Sequence, residues 1–228
     1  IAPGGNLTVN ASESIALRGS SLNGSFRSGL SAFSLTLGNA RSGNLTVNTG
    51  DFTIDDGAEV TVTSLKGQAG NADITANLLW LNQGYVTAET RLGEGEGGAN
   101  IFLQLDEDLI LRNESLISAT AFEEANGGNI TLNTRFVIAL PPEGPEGSDI
   151  IANAFLGDGG RVNVTAEYLF DIDFRDRRTP LNDITASSEF GEPGVVTIET
   201  PGIDPNAGLV QLPPPASPPE FVNFCQGR

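Results

Sequence analysis

The sequence predicts an all-β chain wound as a right-handed parallel β-helix, a three-sheet solenoid of about six or seven coils with a Pro-rich C-terminal tail. Three observations carry this. A Gly-x-Asn turn followed by apolar-polar-apolar residues recurs along the chain, its step of 27–38 residues matches one coil of a three-stranded solenoid, and two further strand-like stretches recur within each step. The 28 Gly in 228 residues, with many Thr and Asn beside Val, Ile, Leu and Phe, suit short strands joined by tight turns.

The repeat opens with Gly5-Asn6-Leu7-Thr8-Val9 and returns as Gly43-Asn44-Leu45-Thr46-Val47, Gly70-Asn71-Ala72-Asp73-Ile74, Ala99-Asn100-Ile101-Phe102-Leu103 and Gly128-Asn129-Ile130-Thr131-Leu132. Two degenerate copies come after these, at Gly160-Arg161-Val162 and Gly194-Val195-Val196. The Asn position of the turn falls at 6, 44, 71, 100, 129, 161 and 195, which fits one solenoid coil per step. A second stretch recurs as Phe52-Thr53-Ile54, Leu79-Trp80-Leu81, Leu109-Ile110-Leu111, Phe136-Val137-Ile138 and Leu169-Phe170-Asp171. The third reads Val60-Thr61-Val62, Val86-Thr87-Ala88, Ile117-Ser118-Ala119, Ile150-Ile151-Ala152 and Ile184-Thr185-Ala186.

Alternation of period 2 turns one side of each strand inward, and a single coil cannot bury that side alone. Stacking of equivalent strands into parallel sheets around an apolar column is therefore expected. Residues 1–200 are assigned to the β-helix, and 201–228, with Pro213-Pro214-Pro215-Ala216-Ser217-Pro218-Pro219, to a tail that is extended or packed against it, because proline cannot donate to a sheet ladder. Long steps predict outward loops at 18–30, 141–147 and 173–180.

Charge narrows the partners. Lys+Arg number 12 against 29 Asp+Glu, a net of -17, which repels nucleic acid and anionic lipid. No apolar run is long enough to insert in a membrane as a helix. A single cysteine, Cys225, excludes an intrachain disulfide. The absence of His removes Ser-His-Asp and Cys-His catalysis.

Asn6, Asn44, Asn71, Asn100 and Asn129 fall at one repeat position, where stacked amides can bond along the solenoid axis; they read as a structural ladder. Paired acids at Asp55-Asp56, Asp106-Glu107-Asp108 and Glu123-Glu124 read as solvated edge charges. Asp171, Asp173 and Asp176 are spaced to offer hard oxygen ligands to Ca²⁺, beside Arg175, Arg177 and Arg178, which could meet a uronate carboxylate. No catalytic residue and no cofactor other than that Ca²⁺ is expected. Phe52, Trp80, Phe102, Phe136, Phe155, Phe170 and Phe190 are expected mostly inside the column, with Tyr85 and Phe122 near turns as the candidates for sugar contact.

Gly127-Gly128-Asn129-Ile130-Thr131-Leu132-Asn133, Pro141-Pro142-Glu143-Gly144-Pro145, Ser148-Asp149-Ile150-Ile151-Ala152-Asn153-Ala154 and Thr179-Pro180-Leu181-Asn182-Asp183-Ile184-Thr185-Ala186-Ser187-Ser188 together carry a resemblance. They resemble the C-terminal β-helix region of cyanobacterial exoproteins of the filamentous haemagglutinin type, most specifically over about 98–211. The resemblance implies a parent exported by two-partner secretion through an outer-membrane β-barrel transporter. It further implies a secreted or cell-surface location and adhesion to an extracellular glycan or cell-surface receptor. The alternatives are a β-helix polysaccharide lyase or hydrolase and a Ca²⁺-stabilised extracellular matrix protein.

Overall fold

A computed structural model describes residues 4–22, 26–34, 41–92 and 98–201. All its regular elements are strands. The first coil holds β1 (Leu7–Asn10), β2 (Ser14–Arg18) and β3 (Gly29–Ser34), and the second β4 (Leu45–Asn48), β5 (Asp51–Asp55) and β6 (Glu59–Ser64). The third holds β7 (Ala72–Ala76), β8 (Leu78–Asn82) and β9 (Tyr85–Thr90), and the fourth β10 (Ile101–Leu105), β11 (Asp108–Arg112) and β12 (Leu116–Ser118). β13 (Asn129–Asn133), β14 (Phe136–Ala139) and β15 (Asp149–Ile151) form the fifth. The sixth is β16 (Arg161–Thr165), β17 (Tyr168–Phe170), β18 (Asp173–Phe174) and β19 (Asp183–Thr185), with β20 (Val195–Glu199) beyond it.

Equivalent strands pair in parallel, giving one sheet in the order β1-β4-β7-β10-β13-β16-β20, a second in the order β17-β14-β11-β8-β5-β2 and a third in the order β18-β19-β15-β12-β9-β6-β3. The chain is thus a three-sheet parallel β-solenoid of about five regular turns, slightly fewer than the six or seven coils expected. The difference arises at the top. In the sixth turn the third-sheet contribution is split between β18 and β19, and β20 only opens a seventh.

Register explains the core. In the first sheet Leu45, Ala72, Ile101, Ile130, Val162 and Val196 stand in one column and Val47, Ile74, Leu103, Leu132, Val164 and Ile198 in the next. Phe52, Leu79, Leu109 and Val137 do the same in the second sheet, and Val60, Val86, Ile117, Ile150 and Ile184 in the third. These side chains, apart from Val196 and Ile198 on β20, are buried in one continuous cluster, and all but Ala72 are worth about 1.5–3 kcal/mol each of hydrophobic burial.

The corners have their own columns. Before the first sheet, a Cβ on Gly128 would stand 1.7 Å from the Ala99 carbonyl oxygen and one on Gly160 1.8 Å from that of Gly128, so close stacking of backbone demands glycine there. After the second sheet, Asp56, Gln83, Asn113 and Asp171 all take φ of 53–56°, a left-handed turn that Asn and Asp tolerate best.

One expectation is corrected. Of the aromatics assigned to the column, Phe52 is fully buried, whereas Phe102, Phe155, Phe170 and Phe190 are exposed and Trp80 and Phe136 only half-buried. Parity decides it: Leu79 and Leu81 point inward, so Trp80 between them points out, and the same alternation turns out Phe102, Phe136 and Phe170. The expected 18–30 loop carries an antiparallel bridge between Ser20 and Arg27. Asn23, residues 93–97 and the tail 202–228 lie outside the described residues.

Adjacent residues on opposite faces of β11 test the inward column. Leu111→Ala, at a fully buried site, is expected to cost about 2–5 kcal/mol in urea unfolding, and Ile110→Ala, facing out, less than half of that.

Candidate functional site

Outward positions of the third sheet carry its chemistry. Glu59, Tyr85, Leu116 and Asp149 stand in one column, with Asp183 directly above. Ser31, Thr61, Thr87, Ser118, Ile151 and Thr185 stand in the next, and Phe33, Thr63 and Glu89 in a third. The hydroxyls bond to one another, Thr87 Oγ1 donating to Thr61 Oγ1 at 2.8 Å, with Thr61 and Thr63 3.1 Å apart.

Over the first four coils these side chains line a groove of about 630 Å³. At one end Arg27, from the outward 18–30 loop, lies 3.8 Å from the Tyr85 ring centroid, faces Glu59 at 3.6 Å and donates to the Gly57 carbonyl at 3.1 Å. At the other end Arg91 pairs with Glu89 at 3.2 Å, and Phe33, 56% exposed, offers an open ring. Burial raises the Glu59 pKa; Arg27 pulls it back and Glu89 pushes it up. The groove is therefore charge-balanced at its ends, with hydroxyls and aromatic surface between.

On the fifth and sixth coils the same sheet buries two carboxylates, Asp149 and Asp183, both without solvent exposure. The loop after β18 neutralises them. Arg178 donates from Nε to Asp149 Oδ2 at 2.7 Å, and Arg175 pairs with Asp183. Asp149 Oδ1 accepts the Asp183 amide at 3.0 Å, while Thr179 donates to Asp183 from its hydroxyl at 3.1 Å and also from its backbone amide. Burial lifts the Asp149 pKa to about 6; Arg178 and the Asp183 amide act against this, and the Asp183 charge adds to it.

The three acids expected to hold Ca²⁺ are not brought together. Asp171 occupies the left-handed corner and accepts Asn182 Nδ2 on its carbonyl at 2.8 Å; Asp173 lies on β18, 3.5 Å from Arg175; Asp176 is exposed in the loop. Among the described residues no three Asp, Glu, Cys or His side chains converge on a point where a metal could sit. The asparagines at the repeat turn do meet. Asn6 Oδ1 accepts the Asn44 amide and Asn44 Oδ1 that of Asn71, each at 2.9 Å. Asn100 donates to Asn71 Oδ1 at 3.1 Å, and Asn129 donates to Asn100 Oδ1 at 2.8 Å.

Sequence reasoning missed a second ladder, at the corner before the third sheet. There Gly84 donates to Ser115 Oγ, Ser115 to Ser148 Oγ and Ser148 to Asn182 Oδ1, at 3.2, 3.2 and 2.7 Å. The available signal was position: each residue immediately precedes a third-sheet strand. Of the two aromatics expected near turns, Tyr85 lines the groove. Phe122 lies outside it, its ring 5.9 Å from the Arg91 guanidinium.

Asp149 sets a pH dependence. Its folded pKa lies above the unfolded value of 3.8, so the native state binds the proton more tightly and stability falls as pH rises from about 4 through about 6, by on the order of 1 kcal/mol per unit. Urea midpoints across pH 4–7 are expected to decline less steeply in Asp149→Asn than in the unaltered chain. Comparison with family models, with curated proteins and with solved structures found no match to this chain.

Proposed function

We propose that the chain is a structural and adhesive segment of a large secreted surface exoprotein, without catalytic activity of its own, that holds an extracellular glycan along the third-sheet groove. The observation that supports this best is the groove itself: the open Phe33 ring, the Thr61, Thr63 and Thr87 hydroxyls, and Tyr85 lie between two Arg-Glu pairs. Sugars combine apolar ring faces with hydroxyls, and such a lining answers both. Because the pairs cancel and the chain bears a net charge of -17, a neutral glycan suits it better than a polyanion. Export of the parent through an outer-membrane two-partner-secretion transporter belongs to the same reading and rests on the family resemblance.

A polysaccharide lyase or hydrolase is the second reading, favoured by Glu59, whose carboxyl is held above the usual range by burial, with Glu89 at the far end of the groove adding to the rise, as a general acid requires. A glycan array probed with the whole chain separates the two. Retention of neutral glycans is expected, weakened about tenfold or more by Phe33→Ala with Tyr85→Ala while the melting temperature holds. Release of reducing ends from a bound glycan, abolished by Glu59→Gln, would replace adhesion by the enzyme reading.

A further inference from the structure

The groove on the third sheet changes along its length. In its middle column the outward hydroxyls sink as the coils rise: Ser31 is exposed and Thr61 partly so, Thr87 is 9% exposed, Ser118 2% and Thr185 not at all. The column at the strand starts behaves alike. Glu59, Tyr85 and Leu116 keep part of their surface, whereas Asp149 and Asp183 above them are fully buried. Strand alternation alone would leave all of these outward positions equally open. The outer face is therefore open over the lower coils and covered over the upper ones.

The excursion between β18 and β19 supplies the cover. Arg178 donates to Asp149 on β15, and Asp149 pairs in register with Leu116, the uppermost residue of the groove lining. The guanidinium thus stands one rung, about 4.8 Å, beyond the last open position. Behind it Arg175 holds Asp183, which also accepts the Thr179 amide and hydroxyl, so the loop is fastened at both buried acids. At the opposite end Ser31 and Phe33 are exposed on β3, the terminal strand of this sheet among the described residues. The groove is a blind-ended trough, open beside β3 and shut beside β15.

Its shape limits what enters. From β3 to β12 is three strand spacings, roughly 14 Å, and the flanks at Glu59 and Thr63, four residues apart, are about 13 Å from each other. A groove open at both ends holds the interior of a polymer, whereas one shut at an end holds a terminus. We propose that the trough recognises the end of a linear neutral glycan, seating a few terminal sugars over Ser31, Thr61 and Thr87 and stopping them against Arg178. This rests on the glycan reading above and adds the form of the ligand, an unbranched chain end. Arg27, Arg91, Arg175 and Arg178 are each already paired with a carboxylate, which disfavours an anionic sugar. The Arg178 side chain is still 42% exposed, so its remaining N–H groups are available to the hydroxyls of the terminal sugar.

Tethering distinguishes a terminus from an interior. Neutral linear hexasaccharides of glucose, mannose, xylose and galactose are to be printed in three sets, coupled to the surface through the reducing end, through the non-reducing end, or through both, and probed with the whole chain. Retention is expected on at least one singly coupled set and to be about tenfold or more weaker on the doubly coupled set. Equal retention on all three sets overturns the proposal and leaves the glycan reading standing. Retention on none removes the glycan reading and this inference with it. Asp149→Asn with Arg178→Ala takes away the guanidinium together with the charge that it neutralises, so no buried charge is left unpaired. With the melting temperature held, that variant is expected to gain retention of the doubly coupled set. A folded variant that discriminates as sharply as the unaltered chain overturns the assignment of the closed end to Arg178.

Discussion

Backbone hydrogen bonding between coils is the constraint on which the rest depends. Strands in the middle of each sheet find their partners in the turn above and the turn below, so their residues are stacked on their equivalents at the spacing of adjacent strands. Whatever stands at a position must therefore tolerate a copy of itself, or a suitable substitute, one rung away. Apolar side chains satisfy this by packing, as Leu79, Leu109 and Val137 do. Amides satisfy it by donating one way and accepting the other, which is why Asn100 can link Asn71 to Asn129. Backbone itself satisfies it only where no Cβ intervenes, hence glycine at 128 and 160.

Like charges are the case the constraint penalises, and among the described residues the third sheet buries one such pair beneath a loop. Asp183 stands directly above Asp149 with neither reaching solvent, an arrangement that burial and mutual repulsion both disfavour. The sixth turn answers by leaving the regular path. After β17 the chain makes the short β18 on the far side of β19, then loops over the outer face so that Arg175 and Arg178 meet the two acids before the chain returns as β19. The loop thus serves the two carboxylates, and the same detour makes the sixth turn irregular. Removing either arginine would leave a buried charge without its counter-ion, which costs more than an exposed ion pair contributes.

How far the sequence could be read depends on the same geometry. Strand positions, register and the Asn6 to Asn129 column were legible because they repeat, and repetition is what stacking imposes on sequence. The side-chain direction of aromatics was not, since Leu78-Leu79-Trp80-Leu81 gives apolar residues at both parities and only neighbouring coils settle which face is inward. Asp171, Asp173 and Asp176 looked like a ligand set because they are close in sequence. In space the first is a corner residue required by its left-handed φ, and the second lies on an edge strand beside Arg175. The groove was legible only at Tyr85: Arg27, Phe33, Glu59 and Glu89 come from three coils, and local spacing cannot signal a site assembled along the axis.

The inner column is much the same on all three sheets, while the outer faces diverge. One outward column of the first sheet runs Thr46, Asp73, Phe102, Thr131, Asn163 and Thr197. Its equivalent on the second sheet is Trp80, Ile110, Ile138 and Phe170, and the third sheet offers hydroxyls beside paired charges. Stability is met by the inward half of each strand, so the outward half is free of the core's demand for Leu, Ile and Val. An apolar outward residue then calls for an explanation that a polar one does not, because exposed aromatics lose burial without gaining hydration. That asymmetry separates the second sheet, where four successive rungs carry Trp80, Ile110, Ile138 and Phe170 outward, from the first, where Phe102 stands alone among polar neighbours. A single exposed ring is ordinary on a protein surface, whereas apolar side chains in register over four rungs make a continuous apolar stripe.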